Sequence, residues 1–202
     1  TSLRFAYLNG DATIAEQGVI DELACDCCRT DVVTTSSGVA MIYRDRSPQE
    51  VRDIVVRVQT ASGWSQPVTL GPDQWQIEGC PVNGPQLAAL GDEVAAAWFT
   101  APDGQPRVRA ARSNDGGRTF GAALDIDTQG ALGQVGVALD VDGTAYVSWW
   151  RRAQSGAELA LRALGRDGAL TEPIVVASSQ SSRPESVPQL QRSGRRLVIA
   201  WS

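Results

Sequence analysis

Short stretches in which apolar and polar residues alternate run the length of the chain at nearly regular intervals. A period of two puts alternate side chains on one face of a β-strand, so each stretch predicts a strand with one buried face. Four such runs, at 39–43, 94–98, 145–149 and 197–201, end on Tyr43, Trp98, Trp149 and Trp201, which lie 55, 51 and 52 residues apart. After each of the first three comes a polar turn and a second alternating run, at 53–58, 107–111 and 158–163; the run at 3–8 has the same character. Gly84-Pro85-Gln86-Leu87, Gly133-Gln134-Val135 and Val187-Pro188-Gln189-Leu190 mark the first strand of each unit. Proline lacks an N–H and is tolerated at a strand's first residue but not inside a ladder. The stretch 86–99 is apolar enough for a buried helix, but Gly91-Asp92 divides it into two runs of strand length, which predicts a hairpin. A repeat of about fifty residues built from short strands predicts the blades of an all-β propeller, each a four-stranded antiparallel sheet, rather than a sandwich.

One turn has a sequence of its own. In Ser113-Asn114-Asp115-Gly116-Gly117-Arg118-Thr119-Phe120, Asp115 can accept backbone N–H bonds across a tight turn while Gly116 and Gly117 supply positive φ. Thr119 adds a hydroxyl, and Phe120 can plug the sheet edge below. Weaker relatives stand at Asn9-Gly10-Asp11, Ser62-Gly63 and Arg166-Asp167-Gly168. These eight residues resemble the Asp-box, or bacterial neuraminidase repeat, of sialidase-like β-propellers, with Ser113, Asp115, Gly117, Thr119 and Phe120 as its structural positions. The resemblance implies a six-bladed ring when complete, which at this period needs about 310 residues. The 202 residues cover about four blades' worth: 1–22 the end of one blade, 23–72, 73–127 and 128–177 three whole blades, and 178–202 the start of another. Open sheet edges present unpaired N–H and C=O groups, so a missing segment or a second chain is expected to close the propeller.

With 43% hydrophobic and 20% charged residues, the latter scattered, the composition is that of one globular β unit. A net charge of −5 without a basic stripe argues against nucleic acid as a partner. No apolar run approaches the length of a membrane span. The likeness to exported propellers implies a periplasmic or secreted location.

Cys25, Cys27 and Cys28 fall in one short segment and Cys80 in Gly79-Cys80-Pro81. Cys28 and Cys80 stand one repeat apart, each just ahead of a blade's innermost strand, so both motifs are expected at one rim of the central channel. Two disulfides in any of three pairings are one reading. A thiolate site for a soft metal is a second, although Cys-x-Cys-Cys is not zinc-ribbon spacing, and no metal or cofactor is expected. Redox chemistry, through a Cys27–Cys28 bridge or a thiolate activated by Arg29, is the third.

The sequence contains no histidine, so Ser-His-Asp and Cys-His mechanisms cannot be assembled from this chain. The sialidase resemblance implies arginines for a substrate carboxylate, a tyrosine–glutamate nucleophile pair and an aspartate acid/base. Tyr7, Tyr43 and Tyr146 all fall in strand runs and are expected to pack, and the Arg-Ile-Pro signature is absent. The residues expected around the axis are Asp26, Arg29, Asp31, Glu78, Asn83, Arg183 and Glu185. Arg29 and Arg183 suit an anionic ligand, with Asn83 and Glu185 beside them, while Asp26, Asp31 or Glu78 would transfer protons in a glycosidase. Among the tryptophans, Trp98, Trp149 and Trp201 are expected in the core and Trp64 at a turn, with Trp150 facing opposite to Trp149; Trp75 is the exposed candidate for stacking on a sugar. The expectation is an exported binding or scaffold propeller that takes a glycan or protein at the channel mouth. A sialidase-type hydrolase with part of its site outside this chain is the alternative, and a thiolate metal or redox site the second.

Overall fold

The computed structural model describes residues 1–181 and 186–202; the expected ligand residues Arg183 and Glu185 lie outside them. The described residues form strands joined by turns, with one 3-10 turn at Pro102–Gly104. No helix among them is long and apolar enough to cross a membrane. The first hairpin pairs β1 (Leu3–Leu8) with β2 (Ile14–Asp21). A first full sheet runs β3 (Asp31–Thr35), β4 (Gly38–Arg44), β5 (Ile54–Thr60), with β6 (Gly63–Trp64) and β7 (Val68–Leu70) both paired to β5. The next holds β8 (Gln86–Leu90), β9 (Glu93–Thr100), β10 (Arg107–Ser113) and β11 (Leu124–Asp127). The third holds β12 (Ala131–Leu139), β13 (Ala145–Arg152), β14 (Ala157–Leu164) and β15 (Ile174–Ser179), and β16 (Gln189–Ser193) pairs with β17 (Arg196–Ala200). Every pairing is antiparallel between strands consecutive or nearly so in sequence, and the first strands β3, β8, β12 and β16 lie side by side. This is a β-propeller, with the four first strands around its axis. A cavity of about 370 Å³ lies between them, lined by Val33, Leu87, Val137, Leu139 and Arg192 among others.

The core forms where one sheet's face packs on the next. Between the first and second full sheets sit Ile42, Val56, Leu70, Val94 and Trp98; between the second and third sit Val108, Ile126, Val135, Val147 and Trp149. Both tryptophans are completely buried, and the Trp149 indole N–H donates to Asp127 at 2.6 Å. Trp150 points to the other face and is buried against Leu159 and Ile199, so β13 contributes a tryptophan to each side. Trp201 departs from expectation: it is 45% exposed, because no sheet among the described residues covers the outer face of β17. Tyr43 is fully buried, whereas Tyr7 and Tyr146 are half-buried.

In the turn after β10, Asp115 accepts from the Thr119 N–H at 2.9 Å, the Thr119 hydroxyl at 2.6 Å and the Ser113 hydroxyl at 2.7 Å. Gly116 and Gly117 take φ of 74° and 89°, which a side chain would strain. Phe120 packs against the core of the first two full sheets.

Candidate binding site at the channel rim

Three loops meet at the end of the axis where the first strands begin: 22–30 ahead of β3, 45–53 between β4 and β5, and 71–85 ahead of β8. The disulfide Cys27–Cys80 ties the first to the third, with Cα atoms 6.2 Å apart. The same two loops touch again at Gly84, where a Cβ would lie 2.3 Å from the Arg29 carbonyl oxygen, so only glycine admits this approach.

Side chains then stitch the rim across the blades. Arg29 donates from Nη2 to the Val135 carbonyl at 2.9 Å. With its amide oxygen turned to Arg29, Gln86 accepts from Nη2 at 3.0 Å and returns a bond to the same carbonyl at 3.3 Å. Asn83, 7% exposed, donates to the Leu132 carbonyl at 3.2 Å and accepts from the Gln134 N–H at 2.7 Å. Gln134 holds φ of 54°, which turns its N–H toward Asn83. Asp31 accepts the Val32 N–H and the Leu87 N–H, each at 2.9 Å, coupling β3 to β8.

Beneath this layer lies a buried cation that the sequence reading did not single out. Arg44, at the end of β4, is 1% exposed. It donates to three carbonyls: Asn83 at 2.9 and 3.2 Å, Arg52 at 2.7 Å and Phe99 at 2.6 Å. Its guanidinium lies 4.9 Å from the centre of the Trp75 ring, which packs edge-on against Phe99 at 5.7 Å. Trp75 is therefore the floor of the site rather than an exposed platform: it is 7% exposed, and Asp53 pins its backbone by accepting the Trp75 and Gln74 N–H groups at 3.2 Å. The expectation of an exposed stacking face at Trp75 is corrected on that ground. Spacing alone could not show that the loop carrying Trp75 folds inward onto a cation. The signal available was Arg44 itself, a charge continuing an apolar strand run.

Beside Arg44 lie the two free cysteines, both buried, with Sγ atoms 2.8 Å apart. Arg52 donates to Cys25 Sγ at 3.3 Å while its other end is held by Glu50 at 2.7 Å. The hydrogen bond shared with Cys28 brings the Cys25 thiol well below its ordinary range against the opposing effect of burial, and Arg52 adds to the stabilisation of its thiolate. The same hydrogen bond, and then burial, push Cys28 up instead. The pair thus gives up one proton easily and keeps the other. Burial lowers the pKa of Arg44, and the Cys25–Cys28 pair opposes that shift more than Asp53 does without overturning it. No carboxylate forms an ion pair with Arg44 among the described residues, so the Cys25–Cys28 pair and Asp53 are left to offset its charge.

The candidate acids Asp26, Asp31 and Glu78 have separate surroundings. Asp26 is exposed, accepts from the Thr1 hydroxyl at 3.3 Å, and is lowered by its own backbone N–H and by Thr1. Glu78 is exposed, and Asp31 is engaged by backbone. Tyr43 is buried below the rim, donating to Asp21 at 2.6 Å and accepting from Arg57 at 3.2 Å; burial and the bond to Asp21 raise its pKa.

No protein-family model matches the chain, and no curated protein matches it in sequence. Solved structures do match in shape. An α-L-arabinanase of Penicillium chrysogenum, complexed with arabinobiose, superposes with a TM-score of 0.56 at 12% identity over 92% of this chain and 63% of its own. The NanB sialidase of Streptococcus pneumoniae, as its K499G mutant, gives 0.53 at 11% identity over 90% of this chain and 29% of its own. A GH43_1 enzyme from Xanthomonas citri gives 0.53 at 9% identity over 90% of this chain and 67% of its own. The chain therefore spans about two thirds or less of the length of these neighbours, which are propeller-fold glycosidases, and the likeness is one of fold.

Proposed function

We propose that this chain is part of an exported sialidase-like propeller that binds a glycan or a protein segment at the rim where the first strands begin, and that it does so without hydrolysing it. The observation that supports this most is that side chains and a disulfide build the rim across the blades, while Asp31 is engaged by backbone N–H groups and Tyr43 is buried. A disulfide, Arg29 and Asn83 lock three neighbouring blades together at the axis. Such pre-ordering lowers the entropic cost of binding. A glycosidase of the usual kind needs two carboxyl groups facing one bond, whereas Asp31 is consumed by two backbone N–H groups and Tyr43 is buried beneath the surface. In this reading Arg29 presents the ligand-facing edge of the rim over a buried brace, Asn83, with Asp26 and Glu78 at its margin; the sequence expectation adds Arg183 and Glu185, which lie outside the described residues. The 113–120 turn is its Asp-box, and the Cys27–Cys80 bridge suits an oxidising compartment.

The ring is closed by further blades or a second chain. Supporting this, apolar residues stand exposed on the terminal hairpins: Ile14 and Val19 on β2, Val198 on β17 and Trp201 just beyond it.

The test pairs binding with turnover. Titration calorimetry against neutral and carboxylate-bearing oligosaccharides and peptides is expected to find a ligand whose affinity falls about tenfold or more in Arg29→Ala, as loss of a charged contact would give. Fluorogenic sialosides and arabinosides should remain intact. Turnover abolished by Asp26→Asn or Glu78→Gln would replace binding by hydrolysis, the second reading, which the glycosidase neighbours support.

A further inference from the structure

We propose that Cys25, Cys27, Cys28 and Cys80 form a thiol–disulfide exchange site, in which one bridge moves between Cys27–Cys80 and Cys25–Cys28 and which serves small or peptide disulfides and dithiols. The arrangement of the four sulfurs points to it. Cys25 Sγ lies 3.7 Å from Cys27 Sγ and 2.8 Å from Cys28 Sγ, so one sulfur stands within reach of both the existing bridge and a resolving thiol. Arg52 holds that central sulfur at 3.3 Å, and a guanidinium beside a thiol favours its thiolate, the form that attacks a disulfide. Access is graded in the same order: Cys25 and Cys28 are buried, Cys27 is half-buried and Cys80 is exposed.

The chemistry closes without an outside reagent. The Cys25 thiolate attacks Cys27 Sγ; the Cys25–Cys27 bond forms, the Cys27–Cys80 bond breaks, and the electron pair leaves on Cys80, which takes a proton from water. Cys28 then loses its proton and attacks Cys25 Sγ, forming Cys25–Cys28 and expelling the Cys27 thiolate, which is protonated in turn. One disulfide and two thiols remain, with the thiols now at the outer positions Cys27 and Cys80. There a small disulfide can reoxidise them, its two sulfurs leaving as thiols as Cys27–Cys80 re-forms. Run in reverse, the site passes oxidising equivalents from the interior to a dithiol outside. The burial of Cys28 and its raised pKa make the second attack the slow one.

The experiment starts from wild-type protein with a single bridge, obtained where necessary by one equivalent of dithiothreitol. It is held at pH 7 without oxidant, quenched in acid at intervals, alkylated with N-ethylmaleimide and mapped by peptide mass spectrometry. Molecules carrying a Cys25–Cys28 bridge with Cys27 and Cys80 both alkylated are expected to grow with time to a constant fraction, and holding the protein at pH 3 should slow that growth by at least tenfold. In Cys28→Ser, Cys80 should become alkylated through the Cys25–Cys27 intermediate at least tenfold faster than in Cys25→Ser, which lacks the attacking sulfur. A Cys27–Cys80 bridge that persists while Cys25 and Cys28 are alkylated in every molecule would overturn the proposal. So would two bridges that never interconvert, or one metal ion per chain retained on the thiols in native mass spectrometry.

Discussion

Arg44 shows at the scale of one residue how this site is held. A guanidinium removed from water is costly unless its donors are all engaged, and here carbonyls from three separate segments and an aromatic face surround it. Arg44→Leu is expected to leave those carbonyls without donors and to destabilise the chain by about 3 kcal/mol or more, read by urea denaturation. A second consequence concerns its neighbour. The ultraviolet absorbance of thiolate should show one group per chain titrating well below the ordinary thiol range in protein whose Cys25 and Cys28 are reduced, and Arg52→Gln should move that midpoint upward. Asp115 makes a contrasting case at the opposite end of the sheet. Burial disfavours its charge, but the Thr119 hydroxyl and N–H and the Ser113 hydroxyl prevail and hold its carboxyl down to about 2. Because its pKa is lower folded than unfolded, its contribution is complete above an unfolded value of about 4 and disappears as pH falls toward 2. Asp115→Asn is expected to cost about 1–2 kcal/mol at pH 7 and almost nothing near pH 2, measured by denaturation at both.

Among elements, the link that matters most joins the loops ahead of β3 and β8. The Cys27–Cys80 bridge spans 53 residues and, by restricting the unfolded chain, contributes about 4 kcal/mol. Cys80→Ser should lower stability by about that amount, compared by denaturation under oxidising conditions, and the difference should vanish with excess reductant. The sheets themselves were legible in the sequence because their cause is local. Alternation marked β4, β9, β13 and β17, and Pro85 and Pro188 fell just before strand starts, since neither feature depends on distant contacts. The rim was legible only in outline. Repeat spacing brought the Cys25–Cys28 segment to Cys80, but which cysteine reaches Cys80 depends on a fraction of a turn of backbone. Trp75 was misjudged because its loop folds inward over Arg44, a contact between segments that no local pattern records.

For the whole molecule, the sheets fan about one axis with apolar faces between them, and the terminal hairpins keep an apolar face uncovered. Substituting charge at an exposed site in an isolated chain seldom alters stability by more than about 0.5 kcal/mol. Val198→Lys is therefore expected to leave the melting curve of this chain nearly unchanged while weakening its association with whatever sheet packs on β17. Sedimentation velocity of the mixture with that segment, or of the chain with itself, reads the loss.

The sequence by itself determined the all-β character, the spacing of the sheets and the approach of the Cys25–Cys28 segment to Cys80. Each of these follows from side-chain alternation, turn residues and chain length, which act over a few neighbouring positions. Only the tertiary structure decided that Cys27 is the partner of Cys80, that Arg44 is enclosed over Trp75, and that Cys25 lies between a bridge and a second thiol. Those outcomes depend on how segments far apart in the chain share a small buried volume, where the desolvation of one charge is offset by groups supplied from several loops at once.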